Sequence, residues 1–302
     1  MLNIGPIRYQ EIGPIVSLAH SEVLIGERAF HQVNAILSPE LKGSHGPQRA
    51  IFGDVDGTGT HRSKLVATHM AISEALERWA WEQSMESEDQ AAYGFDRDPT
   101  TSGMAAFPGL IARQTRSHAV REAVERWCLR EWWAGHLPCA QLEISTRNQQ
   151  LIRIGNPLSR HKVLISWAAG ESGLVAYGVG CGRKFDAASW RARIEQQRAQ
   201  QALEHFAEKH EQLDTIDLSG IPGYAERSFL YYALSKGHSD FLQCVGNSVV
   251  KPEILDSAAG RRKIQPVVDC PIPGPWTKYA HVWRVLYPPR ETVTNSAYSF
   301  YA

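Results

Sequence analysis

Two copies of one short pattern of charged residues stand out as groups that could do chemistry. The copies carry the same residue types at the same spacing, namely Glu74, Glu77 and Arg78 in the first and Glu122, Glu125 and Arg126 in the second. On an α-helix, residues three and four positions apart share one face, so each copy presents two carboxylates beside a guanidinium group. Four carboxylates are costly to bury together unless cations neutralise them. Because carboxylate oxygens bind Mg²⁺ and guanidinium groups bind phosphate, the repeat predicts a site for a magnesium-bound polyphosphate.

The competing interpretation of each copy is an exposed ion pair, which contributes only about 0.3–0.5 kcal/mol to helix stability. Two features favour a functional cluster. Large aromatic residues, which normally mark buried surroundings, flank both copies at Trp79, Trp81, Trp127, Trp132 and Trp133. Small residues border the same face at Ala71, Ala75, Ala119 and Ala123. We therefore expect the two helices to pack together with their carboxylates converging, which would raise the pKa of some of them.

The elements that must position these residues are three long helices and several short strands. Helical patterns run over about residues 63–86, 110–133 and 186–212, and strand-like runs cover 140–144, 150–154, 163–168, 174–179 and 280–286. The glycine-rich stretches 53–59 and 178–182 lack the residues of standard phosphate-binding loops, so we interpret them as tight turns. No low-complexity linker interrupts the chain. The pattern predicts a single mixed α+β domain over residues 1–302.

Composition excludes several classes of protein. Of 302 residues 43% are hydrophobic, and 32 Lys and Arg balance 32 Asp and Glu, so no net charge attracts nucleic acid or anionic membrane. The N-terminus lacks the pattern of a signal peptide, and the apolar runs are too short to span a bilayer. The 5 cysteines have no C-x-x-C spacing, which argues against a zinc site or a disulfide framework. We expect a cytoplasmic protein that binds neither nucleic acid nor membrane.

The charged motifs resemble those of the YcaO family over a core of about residues 10–290, which is nearly the whole chain, and the family's fold has mixed sheets with long helices. Ala67–Arg78 resembles the family's first signature, and Ser102–Ala106 with His118–Arg126 resembles the second very closely. Gly178–Asp186 and the following helix occupy the place of the third signature, and Val282–Pro288 resembles the closing strand. The resemblance implies a YcaO-like fold that binds ATP and Mg²⁺.

The resemblance also implies roles for individual residues, although it assigns no catalytic residue. The expected ligands of a magnesium ion held through ATP are Glu74, Glu77, Glu122, Glu125 and either Gln197 or Glu195. The residues expected to bind phosphate or nucleotide are Arg78, Arg126, Gln200 and Arg284. The third helix can be aligned with the family's third motif in two ways. Counting from Asp186 places Gln197 and Gln200 at the motif positions. Aligning Ala188 and Ala192 with the alanines of the first helix places Glu195 at the position of the carboxylate instead.

Members of this family use ATP to activate a backbone amide of a ribosomally made peptide. The resemblance therefore implies an ATP-dependent cyclodehydratase-like enzyme of peptide natural-product biosynthesis that forms thiazoline or oxazoline. Formation of a thioamide or an amidine by the same ATP chemistry is the alternative reaction. A non-catalytic scaffold is the alternative of a different class, because Met70 stands where a serine is expected and the third motif is incomplete.

The same resemblance implies partners. The expected partners are the precursor peptide, a separate leader-recognition subunit and, in pathways that oxidise azolines, a flavin-dependent dehydrogenase. We expect no separate leader-recognition domain in the chain, and we expect the chain to work as an oligomer within a synthetase complex.

Overall fold

A computed structural model describes residues 13–42, 50–108, 112–142, 149–210, 213, 216–258, 263–288 and 298–300. The chain forms two compact units. Unit 1 comprises residues 1–46, 54–123 and 266–287, and unit 2 comprises residues 47–53, 124–265 and 288–302. The single domain predicted over the whole chain stays a prediction.

The long helices match the helical patterns in the sequence closely. The helices of the described residues are α1 (Lys64–Met85), α2 (Ala112–Trp133), α3 (Phe185–Ala207), α4 (Tyr224–Ala233), α5 (Ser235–Ser248) and α6 (Pro252–Ala258). The third pattern extends too far, because after Ala207 the chain tightens: the N–H of Lys209 donates to the carbonyl of Phe206, only three residues back. Within the described ranges, no helix is both long enough and apolar enough to cross a membrane.

The strands form three antiparallel sheets. Their bounds are β1 (Ile15–Ile25), β2 (Arg28–Leu37), β3 (Gly57–His61), β4 (Met104–Pro108), β5 (Cys139–Leu142), β6 (Gln150–Ile154), β7 (Lys162–Ala169), β8 (Val175–Gly182), β9 (Val268–Pro271) and β10 (Ala280–Leu286). The strand orders are β1-β2-β3, β4-β10-β9 and β5-β6-β7-β8. The first two sheets belong to unit 1, and the third belongs to unit 2.

In unit 1, α1 packs closely on β3 because both elements lack large side chains where they meet. A Cβ atom placed on Gly57 would overlap the carbonyl oxygen of Ala71, and one placed on Gly59 would overlap that of Ala67. Alanine on the helix and glycine on the strand therefore let the two backbones touch. The glycine-rich stretches predicted as tight turns are therefore largely strand: 53–59 runs into β3, and 178–182 lies within β8.

The sheet of β4, β10 and β9 is covered on both faces. Met104 and Ala106 of β4 pack in the buried cluster that contains α1, whereas Ala105 packs with Ala119 and Ala123 of α2. Alternate residues of a strand point to opposite faces, so α1 and the first part of α2 cover opposite faces of this sheet. The alanines of both helices pack on strands, and the expectation that the two helices pack directly on each other stays a prediction.

In unit 2, α3 packs on β8, and an aromatic cluster forms beside the sheet. Phe300 lies among the rings of Trp133, Tyr177, Tyr232 and Phe241, with ring centroids 4.9–5.5 Å away. Aromatic pairs at these separations stabilise by more than their buried area alone. Trp133, at the end of the second charged helix, is one member of this cluster.

Candidate functional site

The first charged motif forms a local network on α1. Glu74 accepts a hydrogen bond from Arg78 at 2.8 Å and another from the backbone N–H of Thr58 at 3.0 Å. Arg78 also donates to the carbonyl oxygen of Val55 at 2.9 Å. These bonds tie the helix to the segment that enters β3. The Glu74–Arg78 pair therefore has a structural role, which agrees in part with the competing interpretation of this motif as an ion pair.

Glu77 is the carboxylate that local pairing does not explain. Removal from water raises the pKa of Glu77 well above its usual value, and the nearby charges of Glu122 and Glu74 raise it further. Arg78 and a hydrogen bond from the backbone of Ala106 act in the opposite direction. Carboxylates from α1 and α2 thus come together beside β4, and the prediction of a raised carboxylate pKa is confirmed.

Arg284 of β10 lies in the interior of unit 1. Its side chain is 0% exposed, and it donates to the carbonyl oxygens of Asp98 at 2.6 Å and Thr100 at 2.8 Å. The centre of the guanidinium group also lies 3.9 Å from the ring centroid of Phe95. Sequence reasoning missed these three residues, because they belong to a loop that has only an acidic, polar composition as a signal.

The charge of Arg284 belongs to the same cluster. Burial lowers its pKa to about 10, while the carboxylates of Asp98, Glu122 and Glu77 favour its charged form. The group therefore stays a cation at neutral pH. Its Nε atom is buried and has no hydrogen-bond partner among the described residues. Unit 1 thus holds a buried cation beside carboxylates that still repel one another.

The second motif continues along α2 into unit 2. Glu125 is partly buried and lies close enough to Cys128 to contribute to its raised pKa, after burial and Cys181. Arg126 is also partly buried, and its Nε atom is buried without a hydrogen-bond partner in the described part of the chain. A desolvated guanidinium N–H without an acceptor costs free energy. Arg126 is therefore suited to an anionic ligand.

The carboxylates do not form a complete metal cage. Among the described residues, no three side chains of His, Cys, Asp or Glu are placed so that they could hold a metal ion by themselves. Mg²⁺ in proteins is commonly bound by one or two carboxylates together with water and substrate phosphates. The residues present fit a magnesium ion that arrives with a phosphate ligand, and they do not fit an ion bound by protein alone.

The packing of α3 on β8 bears on the register of the third motif. A Cβ atom on Gly178 would overlap the carbonyl oxygen of Ala192, and one on Gly180 would overlap that of Ala188. Gly57 and Gly59 meet Ala71 and Ala67 of α1 in the same way. In this register Glu195 corresponds to Glu74, so the packing favours Glu195 over Gln197 as the equivalent carboxylate.

Gln197 and Gln200 lie on a different face of α3. Both line an open depression of about 570 Å³. Gln200 accepts a hydrogen bond from Gln196 at 3.0 Å, whereas Glu195 pairs with Arg198 at 2.8 Å. The site residues predicted on α3 are therefore split between two faces of one helix.

Comparison with known proteins finds a likeness of fold. No family model matches the sequence, and no curated protein matches it. A solved structure of YcaO from Methanopyrus kandleri bound with AMPPCP and Mg2+ is similar, with a TM-score of 0.54 and 13% identity over 90% of this chain and 85% of that one. At this identity the likeness is one of fold. It confirms the predicted α+β, YcaO-like architecture.

Proposed function

We propose, from the premise that this chain has a YcaO-like fold, that it binds ATP with Mg²⁺ and uses it to modify peptide backbone amides. The observation that carries this proposal is the cluster of Glu77, Glu122 and Glu74 beside the buried Arg284. The like charges gathered around Glu77 are unfavourable in the free protein, so a cation that binds there gains the energy that the repulsion costs. The fold similarity to a nucleotide-bound YcaO structure supports this choice of ligand.

The residues divide into two proposed groups. Glu77 and Glu122 are the first candidates to bind Mg²⁺, with Glu125 on the same face of α2 at helical spacing. Arg126 and Arg284 are the candidates for phosphate, because the resemblance places both near the nucleotide and the buried Nε atom of each has no acceptor among the described residues. Arg284 supplies a fixed positive charge from β10. Guanidinium groups bind phosphate oxygens with two parallel hydrogen bonds, which orients the ligand as well as holding it.

Glu74 and Arg78 have a positioning role in this proposal. Both are engaged with each other and with the backbone of Thr58 and Val55, so they fix α1 relative to β3. Catalysis of phosphoryl transfer rests mainly on such positioning and on charge neutralisation. Phosphorylation of an amide oxygen by ATP makes that oxygen a good leaving group after a nucleophile adds to the carbonyl carbon.

The proposed reaction is formation of thiazoline or oxazoline from a Cys, Ser or Thr side chain of a ribosomally made peptide. Thioamide or amidine formation is the alternative, in which sulfide or an amine is the nucleophile. The proposed partners are the precursor peptide, a leader-recognition subunit and, where azolines are oxidised, a flavin-dependent dehydrogenase. These assignments rest on the resemblance of the motifs.

A calorimetric titration with Mg²⁺–ATP tests the proposal. We expect wild-type protein to bind in a Mg²⁺-dependent manner, and Glu122→Gln to weaken binding at least about tenfold, since a charge-assisted contact contributes roughly 1.5–3 kcal/mol. Glu88→Gln is the matched control, because Glu88 is an exposed carboxylate outside the helices. Peptide-stimulated release of phosphate then tests turnover.

The non-catalytic scaffold is the second candidate. The observation that favours it is the third motif, because the packing register of α3 places Arg198 at the position that Glu77 occupies on α1. If neither wild type nor Glu122→Gln binds Mg²⁺–ATP with precursor peptide and partner subunits present, the scaffold replaces the enzyme. Binding without phosphate release would leave a nucleotide-regulated scaffold.

A further inference from the structure

A short segment of the chain, Tyr298-Ser299-Phe300, lies in a groove of unit 2 that is lined by aromatic rings. All three residues of the segment are only partly buried. The segment is therefore seated in an open groove and is not enclosed in the core. The residues that define this aromatic groove come from the end of α2, from β8, from α4 and from α5, and they are Trp132, Trp133, Tyr177, Tyr224, Tyr231, Tyr232 and Phe241.

The two aromatic residues of the segment occupy separate parts of the groove. The ring of Phe300 stacks on that of Trp133, with centroids 5.5 Å apart, and lies 4.9 Å from that of Phe241. The ring of Tyr298 lies 4.8 Å from that of Tyr231. Aromatic pairs at these separations stabilise by more than their buried area alone. The groove thus selects aromatic side chains at two positions that are separated by one small residue.

The main chain of the segment is held by two tyrosine hydroxyls of α4. The hydroxyl of Tyr232 donates to the carbonyl oxygen of Tyr298 at 2.9 Å, and the backbone N–H of Ser299 donates to the hydroxyl of Tyr224 at 3.1 Å. Hydrogen bonds to main-chain atoms do not depend on which side chains the occupant carries. In peptide recognition, such bonds supply affinity and side-chain pockets supply specificity.

The walls of the groove also pack on one another. The ring of Phe241 lies 4.8 Å from that of Tyr177 and 5.7 Å from that of Trp132. The ring of Trp133 lies 5.3 Å from that of Tyr232. These contacts connect α2, β8, α4 and α5 without the segment. We therefore expect the groove to keep its shape when the segment leaves it.

The other two tyrosine hydroxyls of the groove bind the surrounding protein. The hydroxyl of Tyr177 is hydrogen-bonded to Nδ1 of His238, and that of Tyr231 donates to the carboxylate of Asp240 at 2.5 Å. These two hydroxyls fix the walls, whereas those of the other two tyrosines bind the occupant. The division between frame and ligand contacts is typical of a binding site, and it supplies matched variants for a test.

We propose that the aromatic groove is a docking site for a segment of a partner polypeptide in which two aromatic residues flank one small residue. Residues 298–300 carry this pattern and occupy the groove as a competing ligand from within the chain. A protein whose binding-competent state is only partly populated has a correspondingly reduced apparent affinity. The segment therefore sets the affinity that a partner must exceed. The proposal does not depend on nucleotide binding.

The first experiment uses a fluorescent peptide with the sequence of residues 295–300, blocked at both ends, and measures its binding to the full chain by anisotropy. Phe300→Ala weakens the internal occupant, so this variant should bind the peptide at least about tenfold more tightly than wild type does. A peptide with alanine at both aromatic positions should bind neither protein. No binding by folded Phe300→Ala, or equal affinities of wild type and variant, overturns the proposal.

The second experiment locates the peptide in the groove. When added to Phe300→Ala, Tyr232→Phe keeps the ring and removes one hydrogen bond to the peptide main chain, so binding should weaken about fivefold. Tyr177→Phe in the same background is the matched control, because it removes only a hydroxyl that is bonded to His238, and it should leave the affinity unchanged. Equal losses in both variants overturn the placement of the peptide.

Tyr298→Ala keeps the proposal testable if Phe300→Ala does not fold. This variant removes the ring that packs on Tyr231 and leaves Phe300 in place. It should therefore also bind the peptide more tightly than wild type does, by at least about threefold. Thermal melts of every variant establish that it is folded. Folded Tyr298→Ala with the same peptide affinity as wild type overturns the competition between the segment and a partner.

Discussion

Two parts of the molecule, β3 with α1 in unit 1 and β8 with α3 in unit 2, share one packing scheme and differ in chemistry. Each has a Gly-x-Gly strand followed by a helix with alanines four residues apart, and the glycines meet the same helix positions in both. The close approach of the helix and strand backbones is therefore a feature of the fold. The shared small residues explain how the helices are held, and they do not explain the site.

The difference lies on the second face of each helix. On α1 this face is apolar and buried, with Ile72 and Leu76 at 0% exposure in the core of unit 1. The corresponding residues of α3 are Arg193 and Gln197, which are only partly buried. One helix is thus fixed on two faces, whereas the other keeps a polar face. Because α1 is packed on two faces, Glu77 is held next to other carboxylates in spite of their mutual repulsion.

The largest expected effect tests whether the two parts are equivalent. Gly57→Ala and Gly178→Ala should each lower the free energy of unfolding by about 3 kcal/mol or more, because the new methyl group would overlap a helix carbonyl that cannot move alone. Gly220→Ala is the control, since nothing lies within 4 Å of its Cβ position. Chemical denaturation measures all three. A large loss of stability in only one of the two variants would show that the two helices are not held on their strands in the same way.

The next prediction sharpens the comparison at the level of ligand binding. If Glu195 is a ligand of the nucleotide-bound magnesium ion, Glu195→Gln should weaken Mg²⁺–ATP binding about tenfold, while Gln197→Glu should change it little. Calorimetric titration of both variants measures this. Stronger binding by Gln197→Glu would instead favour the register that counts from Asp186.

Glu77→Gln should make the free protein more stable while impairing nucleotide binding. The pKa of Glu77 is raised in the folded protein. The stability that its protonated form contributes is therefore fully present below about pH 4.5, and it is lost as the pH rises through the raised pKa. The neutral amide removes this loss and should raise the free energy of unfolding at pH 7 by on the order of 1 kcal/mol.

The measurement is a series of thermal melts from pH 4 to pH 8, roughly the range in which such carboxylates titrate. Wild type should lose stability relative to Glu77→Gln with increasing pH, and added Mg²⁺–ATP should narrow the difference. Parallel curves for the two proteins would show that Glu77 is not strained by its neighbours. Glu88→Gln again provides the exposed control.

The smallest expected effect compares the ion pairs of the two helices. A double-mutant cycle should give a coupling of about 1 kcal/mol for Glu74 and Arg78, because both also bind the backbone. The pair of Glu195 and Arg198, whose carboxylate is 49% exposed, should give at most about 0.5 kcal/mol. Equal couplings in urea denaturation would mean that the backbone contacts of α1 add nothing.

The sequence by itself determined the long helices and the identity of the charged residues. Helical spacing is local, so the copies at Glu74 and Glu122 predict which side chains share a face without any knowledge of the rest of the chain. The α+β fold followed from the same motifs by resemblance. The resemblance of the last strand also indicates Arg284 without any knowledge of its surroundings.

Only the tertiary structure decided how these residues meet. The alanines of α1 pack on glycines of β3, and those of α2 pack on the other sheet of unit 1, where sequence reasoning expected them to border a neighbouring helix. Helical periodicity identifies a small-residue face, but it does not specify whether a strand or a helix covers that face.

The same limit applies to charge. Which carboxylate becomes strained depends on water exclusion and on neighbours that are distant in the sequence, as Glu122 and the backbone of Ala106 are for Glu77. Likewise, the partners of Arg284 at Asp98 and Thr100 come from a loop with no periodic pattern. The sequence specified the charged groups through local spacing, and long-range packing set their electrostatics, because desolvation depends on everything that surrounds a group in space.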